Sequence, residues 1–204
     1  YPGLPESINE GQYLVPRMTR TQLRSAIVGP IKVGASEIAP RLLVKLLNDV
    51  GDNPDRLPIL QHALMRTWDY WYQHEQHNQA IDLPHYQAIG TMEFALSNHA
   101  DEVYEELDTE EFKRIAETLF KSLTDTLSDS RGVRRPTTLN RLCSITQAQE
   151  DKVSAVINQF RSSSRSFLMP TDDIVLTPDT VIDITHESLM RVWGRLIRWT
   201  KEER

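Results

Sequence analysis

The sequence holds one cysteine, Cys143, in 204 residues. A single thiol excludes an internal disulfide and cannot anchor a structural zinc alone; it suits a reducing cytosol. Beside Leu142, Cys143 reads as a small core residue. No apolar run approaches the roughly 20 residues that span a bilayer, and mean hydropathy is -0.45. Tyr1-Pro2-Gly3-Leu4-Pro5 lacks the basic start and apolar stretch of a secretory signal. These absences predict a cytoplasmic chain with no membrane partner. The first residue is not Met, so the chain reads as a fragment of a longer protein.

Catalytic motifs are missing too. A Walker loop needs Gly-x-x-x-x-Gly-Lys-Ser/Thr, whose amides cradle phosphate. Neither Gly3 to Gly11 nor Gly29 to Gly34 leads into Lys-Ser/Thr, so phosphoryl transfer by this chain itself is not expected. No nucleophile elbow is present. His74-Glu75-Gln76-His77 spaces its histidines i, i+3 rather than the i, i+4 of a zinc helix, and reads as a solvated helix end. A basic excess is also absent. Residues 1–130 hold 11 basic and 20 acidic side chains, and residues 131–204 hold 12 and 9. The asymmetry suggests two modules and argues against nucleic acid as partner of the whole chain.

What is present is helical periodicity. Thr19 or Thr21 caps a helix that Gly29-Pro30 should stop. Leu42, Leu43, Leu46, Leu47 and Val50 make one stripe after Pro40, ended by Gly51. Asp52-Asn53-Pro54-Asp55 reads as a turn. Leu57, Leu60, Leu64, Trp68 and Trp71 mark the strongest helix, 56–74, with Pro58 tolerated in its first turn. Trp68, Tyr70, Trp71 and Tyr72 read as core and interface filling. A helical turn follows from Asp82 to near Gly90, then helices over 91–107 and 109–124. The acidic run Asp101, Glu102, Glu105, Glu106, Asp108, Glu110, Glu111 reads as a solvated helix face.

After a polar, basic loop from Ser128 to Pro136 the pattern changes. Thr137 or Thr138 caps a short helix carrying Leu139, Leu142 and Cys143. Ile145-Thr146 makes a turn, and a second helix carries Val153, Val156, Ile157 and Phe160. Short β-prone runs follow: Ser166-Phe167-Leu168-Met169, Ile174-Val175-Leu176 and Val181-Ile182-Asp183-Ile184. A last helix spans roughly 187–202. This order is the plan of a winged helix, with 109–124 first, 138–144 and 149–160 as the helix-turn-helix pair, and 166–184 as the wing. The expected fold is mainly α: a helical lid bundle followed by a winged-helix domain. Residues 1–34 form a linker and first helix, 35–107 the lid, and 108–204 the winged helix.

Several runs together resemble the novel STAND family of NTPases, a bacterial group common in cyanobacteria and often fused to WD40 repeats. They are Ile8 to Thr19, Leu57-Pro58-Ile59-Leu60-Gln61-His62-Ala63-Leu64 with Trp68, Ala95 to Tyr104, and Arg134-Arg135-Pro136. The most specific is Ile184-Thr185-His186-Glu187-Ser188-Leu189-Met190-Arg191-Val192-Trp193. The resemblance implies a P-loop domain upstream, which with Mg would bind ATP/ADP or GTP/GDP, and a switch between open and closed arrangements. Downstream repeats would bind protein partners. It implies roles for two residues. Pro58 matches the helical-domain proline that packs on the nucleotide base, although Arg56-Leu57 replaces the usual Gly-Leu. His186 matches the winged-helix histidine that reaches the diphosphate of ADP.

The residues alone allow a plainer account. His186 lies at a strand-to-helix junction, where it caps the helix or projects into a cleft as a phosphate donor. Arg131, Arg134 and Arg135 are a phosphate or partner contact, or pair with the acidic lid face. Two other functions stay open: a winged-helix DNA-binding regulator, for which the helix from Gln149 offers only Lys152 before Arg161, and an interaction scaffold without a nucleotide role.

Overall fold

The computed structural model describes residues 17–51, 53, 56–74, 79–125 and 132–202. These residues are mainly helical, with small antiparallel sheets. Helix α1 (Arg20–Val33) starts at Thr19, which forms a capping box with Gln22. It does not stop at Gly29-Pro30 but runs through Pro30. The stripe Leu23, Ile27 and Ile31 continues across the proline and is buried throughout, which offsets an interior-proline penalty of about 3 kcal/mol. The helix ends at Gly34, on which the Trp68 indole sits. A Cβ at that glycine would stand 2.3 Å from the ring. Gly34→Ala is therefore expected to displace Trp68 and to lower stability by about 1–3 kcal/mol, read as a lower urea midpoint at unchanged m.

Helix α2 (Pro40–Val50) buries its whole expected stripe, and Gly51 follows with φ of +56°. Asp52, Pro54 and Asp55 of the expected turn lie outside the described residues. Helix α3 (Leu57–His74) turns Leu60, Ala63, Thr67 and Trp71 inward, and the Trp71 indole donates to the Gln79 carbonyl at 3.0 Å. Tyr72 is exposed. Helix α4 (Leu83–Ala88) is capped by Asp82, and Gly90 takes φ of +86° before α5 (Thr91–Glu105). The Tyr86 hydroxyl accepts from the Met92 amide and donates to Asp49, both at 2.8 Å. It ties α2, α4 and α5 together, and burial pushes its phenol pKa well up.

Helix α6 (Glu110–Ser122) is capped by Thr109. The basic loop that follows is not wholly irregular. Val133–Arg134 forms β2, antiparallel to β1 (Thr124–Asp125), while residues 128–131 lie outside the described set. Then come β3 (Thr137–Thr138), α7 (Leu139–Thr146), α8 (Glu150–Arg161), β4 (Leu168–Met169) and β5 (Val181–Ile184). The sheet order is β3-β5-β4, with Thr137 opposite Ile182 and Leu168 opposite Ile184.

Three local expectations need correction. Ile145-Thr146 is the last turn of α7, and the chain reverses one residue later at Gln147, φ +53°. Ile174-Val175-Leu176 forms no strand, and Val175 is 82% exposed. The three-stranded sheet is ordered β3-β5-β4 without it; β-propensity yields to packing context. The last helix is two helices, α9 (Ser188–Val192) and α10 (Gly194–Glu202), broken at Trp193, whose backbone is extended. The break delivers the Trp193 ring to the interior, where it meets Phe120 edge-on at 4.9 Å and donates to Asp101 at 2.9 Å.

Two hydrophobic cores result. The first is built by α1 to α4 and takes Met92 and Ala95 from α5; the second takes Leu96, Ala100, Val103 and Tyr104 from the same helix. Cys143 packs against the second. Helix α5 is thus common to both halves.

Candidate functional site

The first turn of α3 and the junction between β5 and α9 converge on one cleft of about 30 Å³, lined among others by Pro58, His62, Phe167, Thr185, His186 and Ser188. Pro58 and His186, distant in sequence, thus face the same space. His62 follows Pro58 by four residues, so a helix places both on one side.

Behind the cleft lies a histidine pair. His62 Nε2 is 3.2 Å from His99 Nδ1, and the ring centroids stand 5.1 Å apart. One ring must donate and the other accept, so the contact requires a lone pair. Phe167 packs against both, with centroids at 5.7 and 5.0 Å. Burial, then the nearby Arg66 charge, pushes His62 down to about 4 and His99 down to about 3. Both are neutral at pH 7.

On the opposite wall, β5 alternates. Ile182 and Ile184 are fully buried, and the Thr185 amide continues the pairing by donating to the Phe167 carbonyl at 3.0 Å. His186 follows, exposed at the mouth. It does not cap α9: that position is Glu187, without a side-chain cap bond. Partial burial of the ring, then the Arg134 charge, holds the His186 pKa below its usual value.

Of the three arginines singled out in the sequence, Arg134 approaches this site. Its guanidinium donates to Asp183 at 2.9 Å and to the Ile184 carbonyl at 3.2 Å, so it pairs within its own half rather than with the acidic run of α5. Arg135 is exposed and its amide donates to the Leu123 carbonyl at 2.8 Å. Arg131 lies outside the described residues.

The acidic run is not a merely solvated face. Asp101 receives Trp193 and Arg195, each at 2.9 Å. Glu102 pairs with Arg66 at 2.6 Å, and Glu105 with Lys113 at 3.0 Å and Arg195 at 2.7 Å. Glu106 pairs with Arg165, and Glu111 with Lys152 at 2.9 Å. Because α5 lies between the halves, cations from α3, α6, α10 and the segment after α8 all reach its outer side. Arg195 also lies over the Tyr104 ring, 4.2 Å from its centroid.

Among the described residues no group of three or more His, Cys, Asp or Glu is arranged to hold a metal. His74 stacks on Tyr70 at 4.1 Å; His77 lies outside the described residues. No described helix is long and apolar enough to cross a membrane. A larger groove of about 600 Å³, walled by Ile27, Ile31, Leu60, Leu64 and Trp68, is lined without any titratable side chain among the described residues.

A family model described as novel STAND NTPase 1 matches residues 1–204. The chain belongs to this STAND family. No curated protein and no solved structure matches it. In this STAND chain the cleft holds four polar residues to which sequence reasoning gave no role: His62, Ser166, Thr185 and Ser188. Three of them carried a signal. His62 is one helical turn beyond Pro58, and Thr185 and Ser188 flank His186 within the most specific motif.

Proposed function

We propose that this chain is the non-catalytic regulatory part of a STAND-type NTPase, coupling nucleotide state to the arrangement of its domains. Helices α1 to α5 act as the helical lid. Helices α6 to α8 and the β3-β5-β4 sheet act as a winged helix, with the β4–β5 hairpin as the wing. The nucleotide, ATP/ADP or GTP/GDP with Mg, is held by a P-loop domain elsewhere in the parent protein. Pro58 offers an apolar face to the base, and His186 donates from its ring to a phosphate oxygen. A bound anion raises the imidazole pKa and so opposes the depression set by partial burial and Arg134. The observation that carries this reading is that the first turn of the lid helix and the end of β5 wall one cleft.

The DNA-binding alternative fares poorly on α8. Both Glu111 oxygens hold Lys152 at 2.9 Å. Arg161 is buried and donates to Asn158 at 2.7 Å and to the Thr171 carbonyl at 2.8 Å. Neither cation is presented to phosphates.

The test uses the parent protein, purified with its P-loop domain. Wild type is expected to retain nucleoside diphosphate through gel filtration, and His186→Ala to lose about 90% of it, since a charge-assisted hydrogen bond is worth roughly tenfold or more. Unchanged retention in a folded His186→Ala protein would leave an interaction scaffold as the better account.

A further inference from the structure

Three polar side chains on the winged-helix wall of the cleft have no hydrogen-bond partner. Thr185 Oγ1 is closed off from solvent and unpaired. Ser188 is buried, 9% exposed, lines the same cleft and makes no side-chain hydrogen bond to another described residue. The His186 ring is also unpaired among the described residues. Buried hydroxyls are nearly always satisfied in folded proteins, and an orphan calls for an explanation. Among the described residues Thr185 Oγ1 is the one such orphan, and Thr185 lines the same cleft as Ser188 and the imidazole.

The surroundings select the sign of what they would bind. Among the described residues no carboxylate lines the cleft. The Arg134 charge acts on His186, and the Arg66 charge acts on His62 across the cleft. Both guanidiniums are paired, to Asp183 and Glu102, and after burial each is the next cause that holds down the imidazole beside it. Hydroxyl donors and an imidazole, with no carboxylate among the described lining residues, suit an oxyanion and not a metal cation. A space of about 30 Å³ admits one or two oxygen atoms and no more. It fits the terminal oxygens of a phosphate whose remainder stays outside the mouth, where His186 is exposed.

We infer that Thr185 and Ser188 complete an oxyanion cradle with His186, binding the terminal phosphate oxygens of the nucleotide. The inference rests on the regulatory reading above and adds two hydroxyl donors to it. Thr185, whose hydroxyl is closed off from solvent, reads the oxygen that enters the cleft, whereas His186 at the mouth meets the phosphate from outside. The cradle therefore distinguishes nucleotides by their phosphates. A nucleoside monophosphate, lacking the terminal group, gains nothing from it.

The same hydroxyl makes the test sharp. Thr185→Val keeps the shape and removes an unsatisfied polar atom, so it should raise Tm of the nucleotide-free parent protein slightly or leave it unchanged. It should also raise the Kd for ADP about tenfold and leave the Kd for AMP unaltered; Ser188→Ala should act likewise. Inorganic phosphate, titrated alone, separates the sources. If it binds wild type and Thr185→Val abolishes that binding, the cradle takes free phosphate as well as the nucleotide's; if it does not bind, the anion is delivered only as part of the nucleotide. Either result agrees with the cradle provided that the ADP effect is seen. Equal weakening of ADP and AMP, or no weakening in folded Thr185→Val and Ser188→Ala proteins, overturns it. If His186→Ala weakens ADP while the hydroxyl variants do not, the cradle fails and the regulatory reading stands. If none of the three weakens ADP, both fail.

Discussion

Lowering the pH from 6.5 to 5 is expected to destabilise the chain by about 3–4 kcal/mol through His62 and His99 alone. In the unfolded chain each ring titrates near its ordinary value of about 6.5. In the folded chain burial, followed by the Arg66 charge, resists protonation until about 4 for His62 and about 3 for His99. Between those limits the unfolded state binds more protons, so stability falls as pH falls; above about 7 neither ring contributes a pH dependence. Each ring supplies a slope of about 1.4 kcal/mol per pH unit. Among the contributors to these shifts, Arg165 helps lower His99 and His186 helps lower His62. Urea midpoints measured from pH 5 to 8 check the slope. The double variant His62→Gln, His99→Asn keeps a donor–acceptor pair that cannot titrate, and should flatten the curve. If it retains the wild-type slope, the acid sensitivity resides in other groups.

Trp193→Ala is expected to cost about 3–5 kcal/mol, the range for removing a fully buried large aromatic. The ring is 0% exposed and packs against Phe120 at 4.9 Å, Trp199 at 5.3 Å and Phe160 at 6.2 Å. Its indole N–H also reaches Asp101 on α5. Asp101 would not be orphaned by the change, because Arg195 still donates to it at 2.9 Å, so most of the loss is the cavity. Trp193→Phe retains much of the ring volume and loses the hydrogen bond, and should cost only about 1–2 kcal/mol. Because α5 contributes to both cores, denaturant unfolding should be a single transition in each protein. Equal losses for the two variants would place the energy in the hydrogen bond instead.

The helical stripes were legible because burial follows period. Leu42, Leu43, Leu46, Leu47 and Val50 in α2, and Ile115, Ala116, Leu119 and Phe120 in α6, were readable and are buried. The breaks were less legible. Pro30 is a strong local stop signal, yet burial of Ile27 and Ile31 on either side overrides it. Trp193 sits in a helical pattern, yet the helix breaks there because its ring packs among aromatics from distant segments. The acidic run illustrates the same limit. Sequence gives its charge, but Arg66, Arg165 and Arg195 reach it from segments far along the chain.

The amino-acid sequence by itself determined the helical class, most of both cores and the family, since these depend on local periodicity and on contiguous motifs such as Ile184 to Trp193. It also named Pro58 and His186. Only the tertiary structure decided that these two share a cleft, that His62 and His99 lie behind it as a neutral pair, and that Thr185, with its hydroxyl unpaired, and Ser188 line it. Such facts depend on where α3, α5 and β5 cross. Crossing geometry is set by side-chain packing over the whole core, and no local pattern encodes it.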